Sequence, residues 1–342
     1  MTVPVDVYPL YENAGRAAYG QTFTEAQRES AEIWARFSEV AAANPSAWIR
    51  NAASAVDIAT PSADNRPIAH PYTKLMVANA SVNQGAGFIV TSLAEARRRG
   101  VAEERLVHVG HGAAAHEAED FLARDRFDAS PSMAVSLKRA LALNGVTTGD
   151  IDHAELYSCF PCVPKMARRV IGWPVERPAT VFGGLTFGGG PIGNYMSHAV
   201  ACMVEKLRAE PGTGLLFANG GYATHNHTIV LTSDPNPAVA FPQDFDFQAE
   251  ADAARGDVPE LDHDYEGAAT IESFTVHYGR DGAPRLGTIV ARTPQGNRTL
   301  AAVMPDDVAT IAWLTDGREE PVGARGRIEQ GRGELREWVA EH

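Results

Sequence analysis

Cysteine is scarce in this chain, with three among 342 residues, too few for a disulfide framework. No segment approaches the roughly 18 consecutive apolar residues of a membrane-spanning helix. Basic residues are outnumbered, 30 Lys and Arg against 43 Asp and Glu, leaving a net charge of −13. A nucleic acid or an anionic membrane would need a basic face to displace counterions, so neither is expected as a partner. The charge does not exclude a nucleotide-bearing ligand, because backbone amides can hold a phosphate locally. Met1-Thr2-Val3-Pro4-Val5-Asp6 has no basic stretch followed by an apolar run and does not read as a secretory signal. A cytoplasmic protein is expected. Repeats and low-complexity tracts are also lacking.

What is present is an ordinary globular composition, 44% hydrophobic and 21% charged, in a chain long enough for two or three domains. The first stretch reads as helical and irregular. Thr24 and Gln27 have capping-box spacing ahead of an amphipathic run with Ile33, Phe37 and Val40/Ala41 on one face, and Asn44-Pro45 stops it. From His70 strands and helices alternate. Phe88–Thr91 and Leu106–Gly110 read as strands, with a charged helix from Leu93 to Arg99 closed by Gly100 between them. Ser130-Pro131 starts a helix that ends at Asn144-Gly145. A strand around 152–156, a helix ending near Ile171 and a strand reaching Val181-Phe182 follow. Then come a glycine-rich turn, a helix with Val200, Met203/Val204 and Leu207 on one face, and strands at Gly214–Ala218 and Thr228–Thr232. The alternation implies an α/β layered domain with a largely parallel sheet. Residues 234–266, rich in Pro and Asp, read as a linker. Beyond them Phe274–Tyr278, Leu286–Arg292 and Thr299–Met304 alternate as strands between turn-rich stretches, which implies a small all-β module of the oligonucleotide/oligosaccharide-binding (OB) shape.

Several segments carry a family resemblance. Tyr19-Gly20-Gln21-Thr22 and Ala43-Asn44-Pro45-Ser46-Ala47 resemble the loop domain of a thiolase. Ala78-Asn79-Ala80-Ser81-Val82-Asn83-Gln84-Gly85-Ala86 resembles the approach to the last strand of its first half. Glu155-Leu156-Tyr157-Ser158-Cys159-Phe160 sits where the family carries Asn-Glu-Ala-Phe or His-Asp-Cys-Phe. Gly183-Gly184, then Gly189-Gly190-Pro191-Ile192-Gly193, fits the frame of Gly-Gly followed by Gly-His-Pro-Leu-Gly, and Ala218-Asn219-Gly220-Gly221-Tyr222 fits Cys-Ile-Gly-Gly-Gly. The order of these motifs makes them a stronger signal than any one alone. The chain resembles the sterol-carrier-protein-type branch of the thiolase superfamily over about residues 8–233, and with its added β module it is most similar to the thiolase-like proteins of type 1. The resemblance implies a thiolase-type αβα layered fold with an OB-like C-terminal domain. It divides the chain into a loop domain (1–69), the end of the N-terminal half (70–105), a C-terminal thiolase domain (106–233), the linker (234–266) and the added domain (267–342).

Two departures from the family shape the functional expectation. The chain begins inside the loop domain, so most of one of the fold's two sheets is expected to be missing. The apolar face of the Leu106–Thr232 domain would then need cover from a separate polypeptide supplying the N-terminal half. The second departure is chemical. Claisen condensation needs a thiolate nucleophile, a base and oxyanion donors. The resemblance puts Gly190 at the family's histidine position, Ala218 at its second cysteine and Tyr157 at its Asn or His. Ordinary thiolase activity is not expected.

Tyr157 is the candidate catalytic residue, as an oxyanion donor or proton shuttle in retro-aldol cleavage of a β-hydroxyacyl-CoA. Its bland alternative is to fill the vacated space with one structural hydrogen bond. Gly189 and Gly190 either aim amides at a negative ligand atom or permit a close strand–helix crossing. Gly220 and Gly221 read as a tight turn, with Tyr222 lining the pocket or packed. Ser81 matches a serine near the pantetheine arm, although Val82 replaces the family's Gly beside it. Cys159 and Cys162 read as buried core thiols, not a redox or zinc pair. His225 with His227, and His108 with His111 and His116, suggest metal ligands only in isolation, so no metal is expected. His198 reads as packing or capping. No cofactor is expected beyond a CoA thioester as ligand. Three functions stay open: an acyl-CoA-binding protein without standard thiolase chemistry, a Tyr157-assisted carbon–carbon lyase, and a non-enzymatic interaction module.

Overall fold

A computed structural model describes residues 2–341 apart from Ala238 and Glu334; Met1, on which the reading of the amino terminus rests in part, lies outside the described residues. The first helix, α1 (Pro4–Ala18), starts with proline at its opening turn and is buried without interruption from Val7 to Arg16. A helix enclosed on every side shows no amphipathic period, which is why this stretch looks irregular as sequence. Helix α2 (Phe23–Ala43) is capped by Thr22, two residues before the expected Thr24. The Thr22 hydroxyl accepts from the Glu25 amide at 3.3 Å, and the Glu25 carboxylate accepts from the Thr22 amide at 2.8 Å. The charged Glu25 suits the positive end of the helix better than the neutral Gln27. Ile33, Phe37 and Ala41 are buried, and the helix ends before Asn44 as the sequence implies.

The short helix α3 (Ala55–Ala59) is followed by strands β1 (Pro67–Ala69) and β2 (Tyr72–Thr73). No strand forms at Phe88–Thr91. The run has no regular structure, with Phe88 48%, Ile89 94% and Val90 74% exposed. A strand needs a neighbour for its backbone donors and acceptors, and none lies beside it among the described residues. Helix α4 (Leu93–Arg98) then ends with Gly100 in the left-handed region.

The central sheet holds β3 (His108–His116), β4 (His153–Leu156), β5 (Thr213–Gly220) and β6 (His225–Thr232), in the order β3-β6-β5-β4. Only β4 and β5 run parallel, while β6 is antiparallel to both its neighbours. The largely parallel sheet expected from the alternation is therefore mixed, because a tight turn rather than a helix joins β5 to β6 and so fixes them antiparallel. The final stretch before the glycine turn, Val181-Phe182, is not a strand either. Its amides bond side chains of the site described below. Helices α5 (Pro131–Asn144) and α6 (Cys162–Ile171) pack on one another and against the sheet, and α7 (Tyr195–Ala209) packs on β5. Ser130 caps α5 and Gly145 closes it in the left-handed region, as read. Leu215, Leu216 and Phe217 are consecutive on β5 and all at most 1% exposed. Successive strand residues face opposite ways, so both faces of the sheet are covered at β5, while His225 and His227 at the start of β6 are exposed. The uncovered apolar face expected for 106–233 is not seen at β5; among the described residues, exposed apolar side chains include the Phe88–Val90 run.

The segment read as a linker follows the outer edge of β3. Ala114 and Phe245 pair through the backbone at 2.7 Å. The Gln243 amide spans Gly112 and Gly110, and the Gln248 amide spans His116. Helix α8 (Gln248–Ala254) lies on α5. Composition hid this because two glutamine side chains, not a strand period, fill the edge.

The C-terminal region closes into a five-stranded barrel, β7 (Gly267–Tyr278), β8 (Pro284–Arg292), β9 (Arg298–Val303), β11 (Arg336–Ala340) and β10 (Arg325–Gln330). β10 pairs back to β7, and helix α9 (Val308–Thr315) follows β9. The antiparallel meander β7-β8-β9, the parallel β9–β11 contact and the β10–β7 closure make the expected OB arrangement. Phe274, Val276, Ile289, Ile328 and Trp338 fill its core.

Helix α1 joins these parts. The Asn13 side chain donates to the Phe274 carbonyl at 2.9 Å, Ser273 donates to the Leu10 carbonyl at 2.6 Å, and Arg16 pairs with Glu320. Toward the thiolase body, Glu12 accepts from the buried Lys165 ammonium and from the Tyr72 hydroxyl at 2.8 Å. Lys165 also reaches Ser30 at 3.2 Å and the Ala26 carbonyl at 3.3 Å.

Two expectations follow. Lys165→Met leaves Glu12 charged, buried and short of its cation, and should cost about 3–5 kcal/mol of unfolding free energy in denaturant titration; a cost under 1 kcal/mol would show the pair to be dispensable. His70, stacked between Phe23 and Phe274 at centroid distances of 5.2 and 5.8 Å, is held neutral. Burial first, and Arg16 second, push its pKa from 6.5 down to about 3. The unfolded chain takes up that proton near pH 6.5 and the folded chain does not. Stability present above pH 6.5 is therefore lost as pH falls toward 3. His70→Phe should flatten that limb of the melting-temperature profile, worth roughly 3–5 kcal/mol; parallel acid limbs in both proteins would acquit His70.

Candidate functional site

The chain segment Ala78-Asn79 laces three of the sequence motifs together through its backbone. The Ala78 amide donates to the Cys159 carbonyl at 3.1 Å, the Asn79 amide to the Leu185 carbonyl at 3.0 Å, and the Gly190 amide to the Asn79 carbonyl at 2.8 Å. Tyr157 follows directly on β4, and its amide donates to the Phe217 carbonyl at 3.1 Å. Tyr157 and Ala218 thus sit side by side at the C-terminal ends of the parallel pair, the end where open α/β sheets present ligand-binding groups.

Tyr157 is half-buried, with its ring edge-on to Tyr195 at 5.5 Å. Its hydroxyl makes no hydrogen bond among the described residues. Burial raises its pKa well above the ordinary tyrosine value, with the Cys159 thiol adding to the shift, so the phenol keeps its proton and acts as a donor.

Glu155, fully buried on β4, is the organising group that sequence reading missed; its signal was one acid in the apolar run Ala154-Glu155-Leu156. Its carboxylate accepts from the Thr180 hydroxyl and the Val181 amide, both at 2.9 Å, and from the Tyr195 hydroxyl at 2.5 Å. Burial outweighs these donors and lifts its pKa to about 7. Thr180 in turn accepts from the amides of Gly183 at 2.9 Å and Gly184 at 3.1 Å. One carboxylate therefore fixes both the entry to the glycine turn and the first residue of α7.

The glycine turn is a close crossing over α2. A Cβ on Gly183 would meet the Ala41 Cβ at 2.5 Å, and one on Gly184 would meet the Phe37 ring at 2.5 Å. Gly189 leaves room for Gln84, which a Cβ would meet at 2.1 Å. Gln84 donates to the Gly188 carbonyl at 2.8 Å and the Ser46 carbonyl at 3.0 Å. Gly190 has the looser surroundings, nothing closer than 3.3 Å to an added Cβ, but its amide is taken by Asn79. Ser81 lies two residues past Asn79 on exposed chain, its amide on the Asn79 side chain at 3.2 Å.

The Gly220–Tyr222 turn joins β5 to β6, as read, and is tied down from α1. Tyr8 donates to the Gly221 carbonyl and Tyr11 to the Tyr222 carbonyl, both at 2.9 Å, and Arg124 also reaches the Tyr222 carbonyl at 2.8 Å. The Tyr222 hydroxyl donates to the Thr2 carbonyl at 2.8 Å. His198, on the buried face of α7, stacks on Phe182 at 5.1 Å. Cys159 and Cys162 are buried reduced thiols. Among the described residues no group of three or more His, Cys, Asp or Glu is arranged to hold a metal, and no helix is long and apolar enough to cross a membrane.

Comparison with known proteins agrees with this geometry. Residues 246–332 match the family described as thiolase-like protein type 1 additional C-terminal domain. Among solved structures, the chain is similar to a monomeric SCP2-thiolase like protein type 1 from Mycobacterium smegmatis, at 33% identity and a TM-score of 0.88, covering 100% of this chain and 73% of that one. No curated protein matches. The chain belongs to the thiolase-like proteins of type 1, with their mixed α/β thiolase-like fold and C-terminal five-stranded barrel.

Proposed function

We propose that the chain binds an acyl-CoA or similar thioester on a thiolase fold and does not carry out thiolase condensation. The observation that carries this reading is Gly190. It offers no side chain to move a proton, and its amide is already engaged by Asn79. Ala218, beside Tyr157, adds nothing that ionises. The cysteines do not supply a thiolate: burial pushes Cys159 up to about 12, Cys202 up to about 11, and Cys162 well above the usual thiol range. Ser81, Gly189, Gly190, Gly220, Gly221 and Tyr222 form the proposed ligand-contacting set. Titration calorimetry with acetyl-CoA and with a β-hydroxyacyl-CoA should give saturable binding, and the purified chain should make no acetoacetyl-CoA. Formation of that product from acetyl-CoA would overturn the proposal.

The unpartnered Tyr157 hydroxyl supports a second reading, carbon–carbon cleavage of a β-hydroxyacyl-CoA. The breaking bond leaves its electron pair on the thioester as an enolate, the β-hydroxyl proton passes to solvent, a carbonyl product departs, and the enolate carbon takes a proton from solvent to give the shortened thioester. A protonated phenol suits the enolate oxygen as a donor. Tyr157→Phe should then lower cleavage by roughly 10²–10³-fold, as loss of an oxyanion donor does, with CoA-thioester affinity kept. Equal loss of binding and turnover would reduce Tyr157 to a packing residue.

The exposed Phe88-Ile89-Val90 run supports a polypeptide partner that supplies a thiolase-type N-terminal half and pairs with this segment. Coexpression with such a half should give a stable complex in which amide exchange at 85–91 slows by at least about tenfold. Unchanged exchange in a stable complex would place the partner elsewhere, and failure to associate would remove it.

A further inference from the structure

The register of the central sheet sets a histidine in line with Tyr157. The Tyr157 amide bonds the Phe217 carbonyl at 3.1 Å, which continues the parallel β4–β5 ladder and puts Tyr157 opposite Ala218. Ala218 lies opposite His227 on β6. Residues directly opposite one another in a sheet project to the same face, so Tyr157, Ala218 and His227 form one row. Two strand spacings separate the Cα atoms of the tyrosine and the histidine by roughly 10 Å, with only a methyl group between them. The preceding row on this face is closed. Glu155 is fully buried under Tyr195 of α7, and Leu216 is 1% exposed. The row at the strand ends is open, with Tyr157 and Ala218 half-buried and His227 exposed.

Both ends of the row are uncommitted. The Tyr157 hydroxyl has no hydrogen-bond partner among the described residues, and neither ring nitrogen of His227 has one. His225, two residues earlier on the same face, is instead held by Glu119 at 2.9 Å. Partial desolvation first, and His225 second, lower the pKa of His227. Its ring is therefore unprotonated at neutral pH and able to accept a proton. A donor and an acceptor on either side of a small residue suit a ligand carrying an oxygen at each side of the bond to be cleaved, as a β-hydroxyacyl thioester does.

Given the carbon–carbon cleavage reading of Tyr157, on which the assignment rests, we infer that His227 is a catalytic residue, the base that takes the β-hydroxyl proton. A ring nitrogen of His227 accepts that proton in place of solvent, and the oxygen's electron pair forms the new carbonyl. The bond between the α- and β-carbons breaks and leaves its pair on the thioester as an enolate, whose oxygen accepts from Tyr157. Once the carbonyl product departs, the imidazolium returns its proton to the enolate carbon. That step restores neutral His227 and gives the shortened thioester.

The test is turnover of 3-hydroxybutyryl-CoA by the full chain, read as acetaldehyde and acetyl-CoA. His227→Ala should lower kcat by at least about 10²-fold, the contribution of a general base, with KM little changed. Imidazole added to the buffer should restore part of that loss. His227→Gln, which keeps the bulk and cannot take the proton, should be as slow as the alanine variant. The ring is exposed, so both variants should melt with the wild type. A wild-type chain that cleaves while His227→Ala turns over equally fast would overturn the inference and leave the cleavage reading standing. A wild-type chain that makes no acetaldehyde would remove both. A loss in His227→Ala that imidazole does not restore, with His227→Gln as active as the wild type, would reduce His227 to a residue that shapes the site.

Discussion

The structure depends on a helix that has no solvent face. From Val7 to Arg16 every residue of α1 is buried, and Glu12, Asn13 and Arg16 among them carry polar groups that are costly to bury without partners. Each finds a partner on a different element, Lys165 on α6, the Phe274 carbonyl on β7 and Glu320 in the barrel, while Asn13 Oδ1 and Arg16 Nε have none among the described residues. Tyr8 and Tyr11 extend the same logic to the carbonyls of the β5–β6 turn. Specific position is enforced here by polar satisfaction and not by apolar packing alone, since a small rotation of α1 would strand several buried groups at once.

Much of the fold was legible in the sequence where local chemistry decided it. Ser130-Pro131 and Gly145 marked α5 from end to end, and three alternating strands beyond residue 267 pointed to the barrel, whose β10 and β11 lie in the charged tail and were not read as strands. Motif order gave the family. What was hidden depended on distant partners. Phe88–Thr91 has a strand's composition and no neighbour to pair with. The direction of β6 follows from a turn, not from the periodicity of its residues. The edge of β3 is filled by side-chain amides of Gln243 and Gln248, which leave no pattern in hydropathy.

The candidate site repeats the theme at smaller scale. Glu155 is the group that sets the relative positions of the glycine turn and α7, yet it touches neither Gly189 nor Gly190 through any bond found among the described residues. Its influence runs through Thr180 and Tyr195. Gly183 and Gly184 are crowded by α2 and serve its crossing, and Gly189 is crowded by the Gln84 side chain. A glycine-rich sequence can therefore report close packing at several points, and only the Cβ environments show which neighbour each glycine makes room for.

The strap of residues 243–248 along β3 has a mechanical consequence. It reaches the barrel through the chain that follows it, while the buried Arg298 of β9, held within the barrel by Glu272 at 2.7 Å, hooks the carbonyls of Leu122 and, at 2.6 Å, Arg124. Pulling the barrel away would peel backbone partners from the central sheet as well as break that hook. The appended domain thus works as a clasp rather than a pendant, and the two bodies are built to yield to heat or force together.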